Sequence, residues 1–232
     1  MKVDLMCHMC DDLLVVNAAR CSFDKESDWA ERTLTADGEV KQQILGPKDC
    51  KLINFLAREK HVLPFRHPQA TFRIHAPLFV LRQLDKHQVG FSTSEVSRRY
   101  VDAEPEFYVP DVWRTRPEGS VKQGSGKDEV HYPLFPLVDY GSTGGYADFL
   151  DICKVAYEAL LDQGVCPEQA RMVLPQSMYT TQVKTGSLLG WVQMIKLRTD
   201  SHAQKEIQDL ANMIAEHIER LFPVSYQALM GN

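Results

Sequence analysis

The chain has 232 residues, of which 44% are hydrophobic and 25% are charged, and its formal net charge is −5. This composition predicts one folded domain over residues 1–232 and excludes an intrinsically disordered chain. The negative charge argues against a partner such as nucleic acid or an anionic membrane, because proteins that bind these normally present a basic face. No stretch approaches the roughly 18 apolar residues of a membrane span, and the N-terminal stretch lacks the apolar core of a signal peptide, so we expect a cytoplasmic protein.

The six cysteines follow no spacing that is typical of a disulfide framework. In a cytoplasmic protein they are expected to be reduced thiols. Cys7 and Cys10 form a C-x-x-C pair, but a zinc or redox site needs a second ligand pair or a thioredoxin-like context, and neither is evident. We therefore expect these thiols to be structural or incidental, and we expect no metal site.

Two segments near the N-terminus suit short elements. Residues 12–16 (DLLVV) form a short run with β-branched members, and the small residues of 17–23 suit a helix or a turn. A helix is predicted within 48–65, and Pro64 is expected to end it. Its apolar face is predicted to contain Leu52, Phe55 and Leu56.

Residues 78–100 combine an apolar run with a dense set of polar and charged side chains. A half-buried strand is predicted over 69–75, where apolar and polar residues alternate, and it leads directly into this stretch. The apolar run from Leu78 predicts a buried helix, for which Gly90 is the first natural stop. Cationic groups would then emerge from a rigid base, and a pocket for anions is the simplest use of that arrangement.

The C-terminal half predicts a long loop followed by helices. Residues 101–150 are rich in Pro, Gly and aromatic residues and lack a regular period, so we expect a functional or mobile loop. Apolar spacing predicts a helix from about Phe149 to a stop at Gly164, and a second helix that begins at Pro167. A buried helix is predicted over 190–198.

A long final helix is predicted after residues 199–201, which offer a capping point. Its apolar stripe is typical of a packing scaffold. The members of the stripe are Ala203, Ile207, Leu210, Ala211, Ile214, Ile218 and Leu221. The sequence contains no P-loop, no G-x-G-x-x-G after a strand, no H-E-x-x-H and no G-x-S-x-G, which removes the common catalytic signatures.

Six cationic side chains are the positive indications of a ligand site. By their chemistry they suit a phosphate or an ionised heterocycle. Each alone is usually solvated, so their value depends on whether the fold brings them together. They are Arg82, Lys86, Arg98, Arg99, Arg171 and Arg198.

The run RQLDKHQVGFSTSEVSRRY at residues 82–100 resembles the signature of flavin-dependent thymidylate synthases, in which R-Q-x-x-R-H-R is followed by N-E-x-S-x-R-Y. Further blocks resemble that family in the same order, so that the resemblance covers nearly the whole chain. These blocks are NAARCSF, His61 with Pro64-Phe65, WR…KQGS, ARMVLP and LRTDSHAQKEIQ.

The chain departs from the family signature around its basic triplet. K-H-Q stands at residues 86–88 in place of R-H-R, and one extra residue lies between this triplet and Ser97. Serines also replace two asparagines of the family pattern, at Ser94 and Ser187. A neutral amide at the third position of the triplet lacks the charge that an arginine offers to a diphosphate.

The resemblance implies an α/β subunit of the α+β type, with a small, mostly antiparallel sheet packed by helices. It implies a homotetramer with active sites between subunits, and a reaction in which dUMP is reductively methylated to dTMP. The implied cofactors are FAD and NADPH, with 5,10-methylenetetrahydrofolate as the carbon donor. The implied partners are therefore dUMP, folate and further copies of the chain, with no nucleic acid and no membrane.

The resemblance also implies roles for individual residues. The dUMP site would contain Gln83, Lys86, Glu95, Ser97, Arg98, Arg99, Arg171 and Arg198. The FAD site would contain Ser22, His61, Lys86, His87, Gln88, Glu95, Ser187 and Gln193. The candidate catalytic residues are Arg198, whose permanently charged guanidinium would stabilise deprotonated uracil, and Ser97, which lacks an obvious activating base and is assigned to binding.

Three other hypotheses remain open. The altered triplet is compatible with a related flavin- and folate-dependent reaction, such as hydroxymethyl transfer or a reaction on a cytosine nucleotide. A non-catalytic homologue would bind dUMP or flavin without turnover. A structural protein would keep its charges solvated and bind neither ligand.

Overall fold

A four-stranded antiparallel sheet organises the part of the chain that this computed structural model describes. The strand order across the sheet is β1 (Lys2–Met9), β4 (Gln69–Pro77), β10 (Tyr179–Ser187) and β5 (Phe91–Glu95). The other strands pair in twos: β2 (Glu31–Leu34) with β3 (Val40–Ile44), β6 (Trp113–Arg114) with β7 (Glu129–Val130), and β8 (Phe135–Pro136) with β9 (Thr143–Gly144). The described residues are 1–34, 40–101, 103–117, 125–126, 128–131, 133–136 and 143–231.

Eight α-helices in the described residues surround and extend this sheet, which confirms the predicted mixed fold of one domain with a small antiparallel sheet. They are α1 (Asp12–Arg20), α2 (Pro47–Arg58), α3 (Leu78–Leu84), α4 (Tyr146–Asp162), α5 (Pro167–Ala170), α6 (Leu188–Arg198), α7 (Lys205–Leu221) and α8 (Pro223–Met230). None of these described helices combines the length and the apolar character needed to cross a membrane.

The two faces of the central sheet differ in burial. Phe72 and Ile74 of β4 are fully buried in the core that the helices form with the sheet. Side chains alternate between the faces of a strand, so Thr71, Arg73 and His75 lie on the opposite face, where they are half-buried or exposed. This second face of the sheet is therefore more open to solvent than the first.

Several predicted elements are confirmed. The alternating segment at 69–75 lies within β4, and the helices predicted from Phe149 and over 190–198 are α4 and α6. Gly164 adopts a φ of 80°, as a helix stop of this kind requires. In the described part of 101–145 the regular elements are two-residue strands, which agrees with the predicted loop.

The buried helix predicted from Leu78 is α3, and it is shorter than predicted. It ends at Leu84 and does not continue toward Gly90. After Leu84 the backbone turns, and the His87 N–H donates to the Leu84 carbonyl at 3.1 Å. Gly90 instead adopts a φ of 78° in the turn that leads into β5. The polar residues that follow Leu84 therefore lie in a turn beside the sheet.

The structure defines two elements in the N-terminal part of the chain, one that the sequence left open and one that it predicted to be longer. Residues 12–16 are helical, because Asp11 caps α1 by accepting from the Leu13 N–H at 3.0 Å. The helix α2 ends at Arg58, before Pro64, since Lys60 takes a φ of 57° and turns the chain. Its buried face is displaced by about one residue from the predicted one and consists of Ile53, Leu56 and Ala57, while Phe55 is 42% exposed.

The beginning of the final helix and the last central strand also differ from expectation. The helix α7 starts at Lys205, so Ala203 precedes it and residues 199–201 do not cap it. The strand β10 was not predicted, because Gln182 and Lys184 occupy core-side positions where an apolar residue would have revealed the alternation.

Candidate active site

Arg198, at the C-terminal end of α6, is held by groups from α3 and the turn that follows it. Its Nε–H donates to the Nε2 atom of His87 at 3.0 Å, and its Nη2 donates to the backbone carbonyl of Gln83 at 3.1 Å. Because a guanidinium only donates, His87 must accept through an unprotonated Nε2. Three residues that the resemblance assigns to ligand binding therefore meet at one place.

The surroundings of His87 favour its neutral form. Burial lowers the pKa of the imidazole, and the positive charges of Arg198 and then of Lys184 lower this pKa further. Desolvation also lowers the pKa of the Arg198 guanidinium, which nevertheless stays protonated at any working pH. Arg198 is thus a cation whose two protein partners are neutral.

A cavity of about 280 Å³ adjoins His87 between the turn after α3 and the strands β5 and β10. Three of its lining residues, His87, Gln88 and Glu95, are predicted flavin contacts. The complete lining is Asp85, His87, Gln88, Phe91, Thr93, Glu95, Gln182 and Lys184.

A network of hydrogen bonds forms one wall of this cavity. The Lys184 ammonium donates to Asp85 Oδ1 at 2.8 Å and to Thr93 Oγ1 at 2.7 Å. The Gln182 amide donates to Asp85 Oδ2 at 2.9 Å and to Glu95 Oε2 at 2.8 Å. Lys184 and Gln182 are each only 1% exposed, so the ion pair with Asp85 offsets the cost of burying an ammonium group.

Ser187 lies against the turn that carries the K-H-Q triplet. Its backbone N–H donates to the Gly90 carbonyl at 3.0 Å, and a Cβ at position 90 would lie 2.8 Å from the Ser187 Oγ atom. The same Oγ accepts from the Gly190 N–H at 3.2 Å and so caps α6. The structure thus joins Ser187 to the cavity region, and only a residue without a Cβ fits this close contact.

A second cluster forms around Glu168 of α5. The Arg99 Nη1 donates to Glu168 Oε1 at 3.2 Å, and the Arg171 Nε donates to the Glu168 backbone carbonyl at 3.3 Å. The Ser97 hydroxyl accepts from the Arg99 N–H at 3.3 Å. Three predicted dUMP contacts therefore meet here, apart from Arg198.

The other predicted nucleotide contacts are not brought into either cluster by the described contacts. Arg98 donates to the carbonyl of Ala103, and its guanidinium lies 5.9 Å from the ring centroid of Tyr157. Lys86 is exposed next to the cavity-lining residues. Arg98 is therefore occupied within its own chain, whereas Lys86 is free to meet solvent or a ligand.

Five predicted flavin contacts do not line the cavity: Lys86 and Ser187 adjoin it, and the other three are Ser22, His61 and Gln193. Ser22 follows α1 in an exposed short helical turn, and Gln193 is exposed on α6. His61 is exposed after α2 and packs edge-on against Phe55, with ring centroids 5.8 Å apart. None of these three residues lines the cavity, and none has a described contact with His87 or Gln88.

A larger cavity of about 770 Å³ lies beside the long loop, and none of the predicted site residues lines it. Arg114 and Glu206 form an ion pair there, with Nη2 2.7 Å from Oε1. A hydrogen bond connects this cavity to the predicted site: the Gln83 amide donates to Oε1 of Gln204, a residue of the cavity lining, at 2.7 Å. Of the KQGS block in this loop, Lys122, Gln123 and Gly124 lie outside the described residues.

Asp85, Gln182 and Lys184 line the cavity but were not predicted from the sequence. Gln182 and Lys184 are two residues apart, and in a strand they share one face. That signal can be used only if β10 is already known to be a strand. The polar residues on its core side hide the apolar alternation by which a strand is recognised. Asp85 lies within the signature run, where the family pattern gives it no role.

Comparison with known proteins identifies relatives over nearly the whole chain. A family model described as thymidylate synthase complementing protein matches residues 4–224. The flavin-dependent thymidylate synthase of Kosmotoga olearia is 34% identical over 226 residues, which are 96% of this chain and 87% of that protein. The enzyme of the same name from Thermosipho africanus is 35% identical over 224 residues, with the same coverage of 96% and 87%.

Solved structures with a similar fold agree with this result. The UMP/dUMP methylase PolB from Streptomyces cacaoi, bound with 5-Br dUMP, has a TM-score of 0.74 and 30% sequence identity. That similarity covers 99% of this chain and 94% of the PolB chain. A structure of PolB bound with 5-Br UMP also has a TM-score of 0.74. The resemblance of the signature run is confirmed, and the chain belongs to the family of flavin-dependent thymidylate synthases.

Proposed function

We propose that the chain catalyses the reductive methylation of dUMP to dTMP, with 5,10-methylenetetrahydrofolate as the carbon donor and NADPH-reduced FAD as the reductant. The observation that carries the proposal is the convergence of Gln83, His87 and Arg198 in a member of this family. These residues come from α3, the following turn and the end of α6, so the fold itself assembles them.

Arg198 is proposed to act on the uracil ring. Its guanidinium is partly buried and has neutral partners, so its charge is available to an oxygen or nitrogen on which negative charge develops. A charge that is already oriented in a partly desolvated site stabilises such a transition state without further reorganisation. Stabilising the deprotonated ring would increase the electron density at the carbon that receives the methyl group.

Arg99 and Arg171 are proposed to bind the phosphate of dUMP. Guanidinium groups suit phosphate because they donate two parallel hydrogen bonds to its oxygens. Arg99 is paired with Glu168 in an exposed ion pair, which is weak and can be exchanged for a ligand. Ser97 is proposed to assist by binding, since no base lies in hydrogen-bond contact with its hydroxyl among the described residues.

The cavity beside His87 fits the uncharged ring system of a flavin. It is lined by a neutral imidazole, the amide of Gln88, the carboxylate of Glu95 and the ring of Phe91. When bound, FAD supplies the reducing equivalents that convert the transferred one-carbon unit into a methyl group. Gln88 offers no charge to the diphosphate of FAD, and the exposed Lys86, two residues before it, is the proposed substitute.

We further propose that the chain works as a homotetramer with each active site shared between subunits. No hydrogen bond among the described residues joins the two clusters of predicted dUMP contacts within one chain, and in the proposed assembly a neighbouring subunit supplies the second cluster to the first. The half-exposed sheet face with Thr71, Arg73 and His75 is a candidate contact surface. Native mass spectrometry should then show four copies per particle, and a monomeric active enzyme would contradict this part of the proposal.

The proposed setting is the cytoplasm, where reduced thiols are maintained. All six cysteines are free in the structure, which supports this setting. Alkylation of the denatured, purified protein without reductant should label every cysteine. Mass spectrometry would count the labels, and a stable disulfide would contradict the expectation.

The function is tested by incubating the purified chain with dUMP, FAD, NADPH and 5,10-methylenetetrahydrofolate, followed by mass analysis of the nucleotide. We expect a product heavier than dUMP by one methylene unit, and we expect each ligand omitted in turn to abolish it. A hydroxymethylated product would identify the sibling reaction. Tight dUMP binding without any product would identify a non-catalytic homologue.

A second candidate is the methylation of UMP. It is favoured by the similarity to PolB, a methylase that was solved with both 5-Br dUMP and 5-Br UMP. Competition between dUMP and UMP in one reaction decides between them through the ratio of kcat/KM values. A ratio that favours dUMP by several orders of magnitude would exclude UMP as a substrate.

A further inference from the structure

Asp85 begins the turn that carries the K-H-Q triplet, and its carboxylate is bound by two side chains of β10. The Lys184 ammonium donates to Asp85 Oδ1 at 2.8 Å, and the Gln182 amide donates to Oδ2 at 2.9 Å. The backbone N–H of Asp85 also donates to the Leu81 carbonyl at 2.8 Å and so closes α3. The start of the turn is therefore attached both to α3 and to the central sheet.

The same strand attaches the other end of this turn and continues into the helix that carries Arg198. The backbone N–H of Ser187, the last residue of β10, donates to the Gly90 carbonyl at 3.0 Å. The helix α6 begins at the next residue and ends at Arg198. Because β10 and α6 are one continuous piece of chain, a turn attached to β10 also has a fixed position relative to Arg198. His87 lies in the turn between the two attachments.

The burial of Lys184 distinguishes its ion pair from those at the surface. The Lys184 side chain is 1% exposed and that of Asp85 is 38% exposed. In the ion pair of Lys205 with Asp209 on α7, the aspartate is again 38% exposed, but the lysine is 57% exposed. An exposed pair is weak, whereas a buried ammonium that loses its partner is strongly destabilising. Lys184 therefore keeps Asp85 in place more firmly than a surface lysine would.

We propose that Lys184 is a positioning residue for the reaction, whose ion pair with Asp85 holds His87 where its Nε2 atom accepts from the Arg198 guanidinium. The inference rests on the proposed function and deepens it, because Arg198 is the residue that we assign to the uracil ring. The role is indirect, since Lys184 acts through Asp85 and His87. Without the ion pair, the start of the turn keeps only the weaker attachment by the Gln182 amide, and His87 no longer holds Arg198 in one orientation.

The charge of Lys184 also affects His87 directly. The charged groups that contact His87, line the same cavity or adjoin it along the chain are Arg198, Lys184, Glu95, Asp85 and Lys86. Burial lowers the pKa of His87, and the cations of Arg198 and then of Lys184 lower this pKa further. Only an unprotonated Nε2 can accept from the guanidinium. Removal of the Lys184 charge should therefore raise the pKa of His87, so that the acceptor is lost at a higher pH as the pH falls.

The test compares the wild-type chain with Lys184→Met, which keeps an unbranched side chain of similar length and removes the charge. We expect kcat/KM for dUMP to fall by roughly tenfold to a hundredfold, as for a small displacement of a catalytic group. We also expect the acid limb of kcat/KM to move to higher pH. In a His87→Asn background, Lys184→Met should not move the acid limb, because no imidazole titrates there. A loss of activity without the shift would indicate a purely structural role and would overturn the proposal.

Asp85→Asn separates positioning from charge. It removes the carboxylate but keeps the Lys184 cation, so kcat/KM should fall while the acid limb does not move to higher pH. Equal shifts in Asp85→Asn and Lys184→Met would assign the shift to loosening of the structure and would overturn the proposal. An unchanged kcat/KM in folded Asp85→Asn protein would also overturn it. Circular dichroism shows whether each variant folds, and Asp85→Asn carries the test if Lys184→Met does not fold.

The matched control is Lys205→Met, because Lys205 also pairs with an aspartate, Asp209, but lies at the surface. Its kcat/KM and acid limb should match those of wild type. The titration of the His87 ring, observed by NMR and assigned with His87→Asn, needs no turnover and separates the two failures. A raised His87 pKa in Lys184→Met, without dTMP formation by the wild-type chain, would contradict only the proposed reaction. Formation of dTMP with the same kcat/KM and the same His87 titration in both chains would contradict only the role of Lys184.

Discussion

Arg198 and Arg99 carry the same guanidinium group but are held in opposite ways. Arg198 is half-buried, and its partners are the neutral imidazole of His87 and a backbone carbonyl. Arg99 is paired with the carboxylate of Glu168, and the two side chains are 45% and 57% exposed. The charge of Arg198 is not neutralised by its partners, whereas the charge of Arg99 is compensated by a carboxylate at the surface.

This difference separates two ways of building a binding site. Arg198 is already oriented before substrate arrives, because two partners from different parts of the chain position its guanidinium. Arg99 must exchange Glu168 for a phosphate, and an exposed ion pair of this kind contributes at most about 1 kcal/mol. The arginine with neutral partners should therefore matter for the chemical step, and the arginine in the surface pair for affinity.

The largest expected effect is that of Arg198→Ala, which removes the charge that we assign to the uracil ring. We expect kcat/KM for dUMP to fall by about a hundredfold to a thousandfold, as for other losses of an oriented charge in an active site. Arg198→Lys should lie between this variant and wild type, since it keeps the charge but not the planar fork. Steady-state kinetics of dTMP formation provides the measurement.

The control for this substitution is Arg220→Ala, which removes an exposed arginine near the end of α7. Its activity and melting temperature should match those of wild type. Arg198→Ala should also melt near the wild-type temperature, because the buried residues of α6 are retained. Unchanged turnover in a folded Arg198→Ala protein would remove Arg198 from the reaction.

A smaller effect is expected for Arg99→Ala, which tests the phosphate role. Loss of one charge-assisted hydrogen bond should weaken dUMP binding by roughly tenfold. The loss is smaller than the strength of the bond itself, because in the wild-type chain Arg99 must break its ion pair with Glu168 before it binds the phosphate. Binding of deoxyuridine, which has no phosphate, should not change. Isothermal titration with both ligands measures the difference.

The matching control is Arg58→Ala, because Arg58 also forms an exposed ion pair, with Glu59 at 2.9 Å. It should leave the affinity for dUMP unchanged. Equal weakening of dUMP and deoxyuridine by Arg99→Ala would show that Arg99 acts on something other than the phosphate.

The smallest expected effect concerns pH. Burial and the nearby cations lower the pKa of His87 in the folded chain below its ordinary value of 6.5, so the unfolded chain binds more protons between the two values. The stabilisation from a neutral His87 is thus fully present above pH 6.5 and is lost as the pH falls through the lowered pKa. Protonation would also place a second cation against Arg198, and we expect activity and melting temperature to decrease together on the acid side.

His87→Asn keeps an acceptor for Arg198 but does not titrate. Its acid limb should be flatter than that of wild type when kcat/KM is plotted against pH. An unchanged acid limb would assign the pH dependence to a different group. Melting temperatures over the same pH range show whether stability follows the same course.

Local patterns were sufficient where one segment carries its own signal. The alternation at 69–75 identified β4, and the apolar spacing from Phe149 identified α4. In contrast, β10 was hidden, because the core side of this strand contains Gln182 and Lys184 instead of apolar residues. The length of α3 was also not evident. The mostly polar residues 85–89 are compatible both with the exposed side of a helix that continues to Gly90 and with the turn that the structure contains.

The sequence alone determined the membership of the family, the signature residues and most of the scaffold, because these depend on residues that are close together along the chain. Only the tertiary structure joined His87 to Arg198 across 111 positions, and Gln182 to Asp85 across 97. It also divided the predicted nucleotide contacts into the cluster of Arg198 and the cluster of Arg99. The physical reason is that periodicity records which side of a segment is buried, whereas the partner of a polar side chain is chosen by the packing of distant segments.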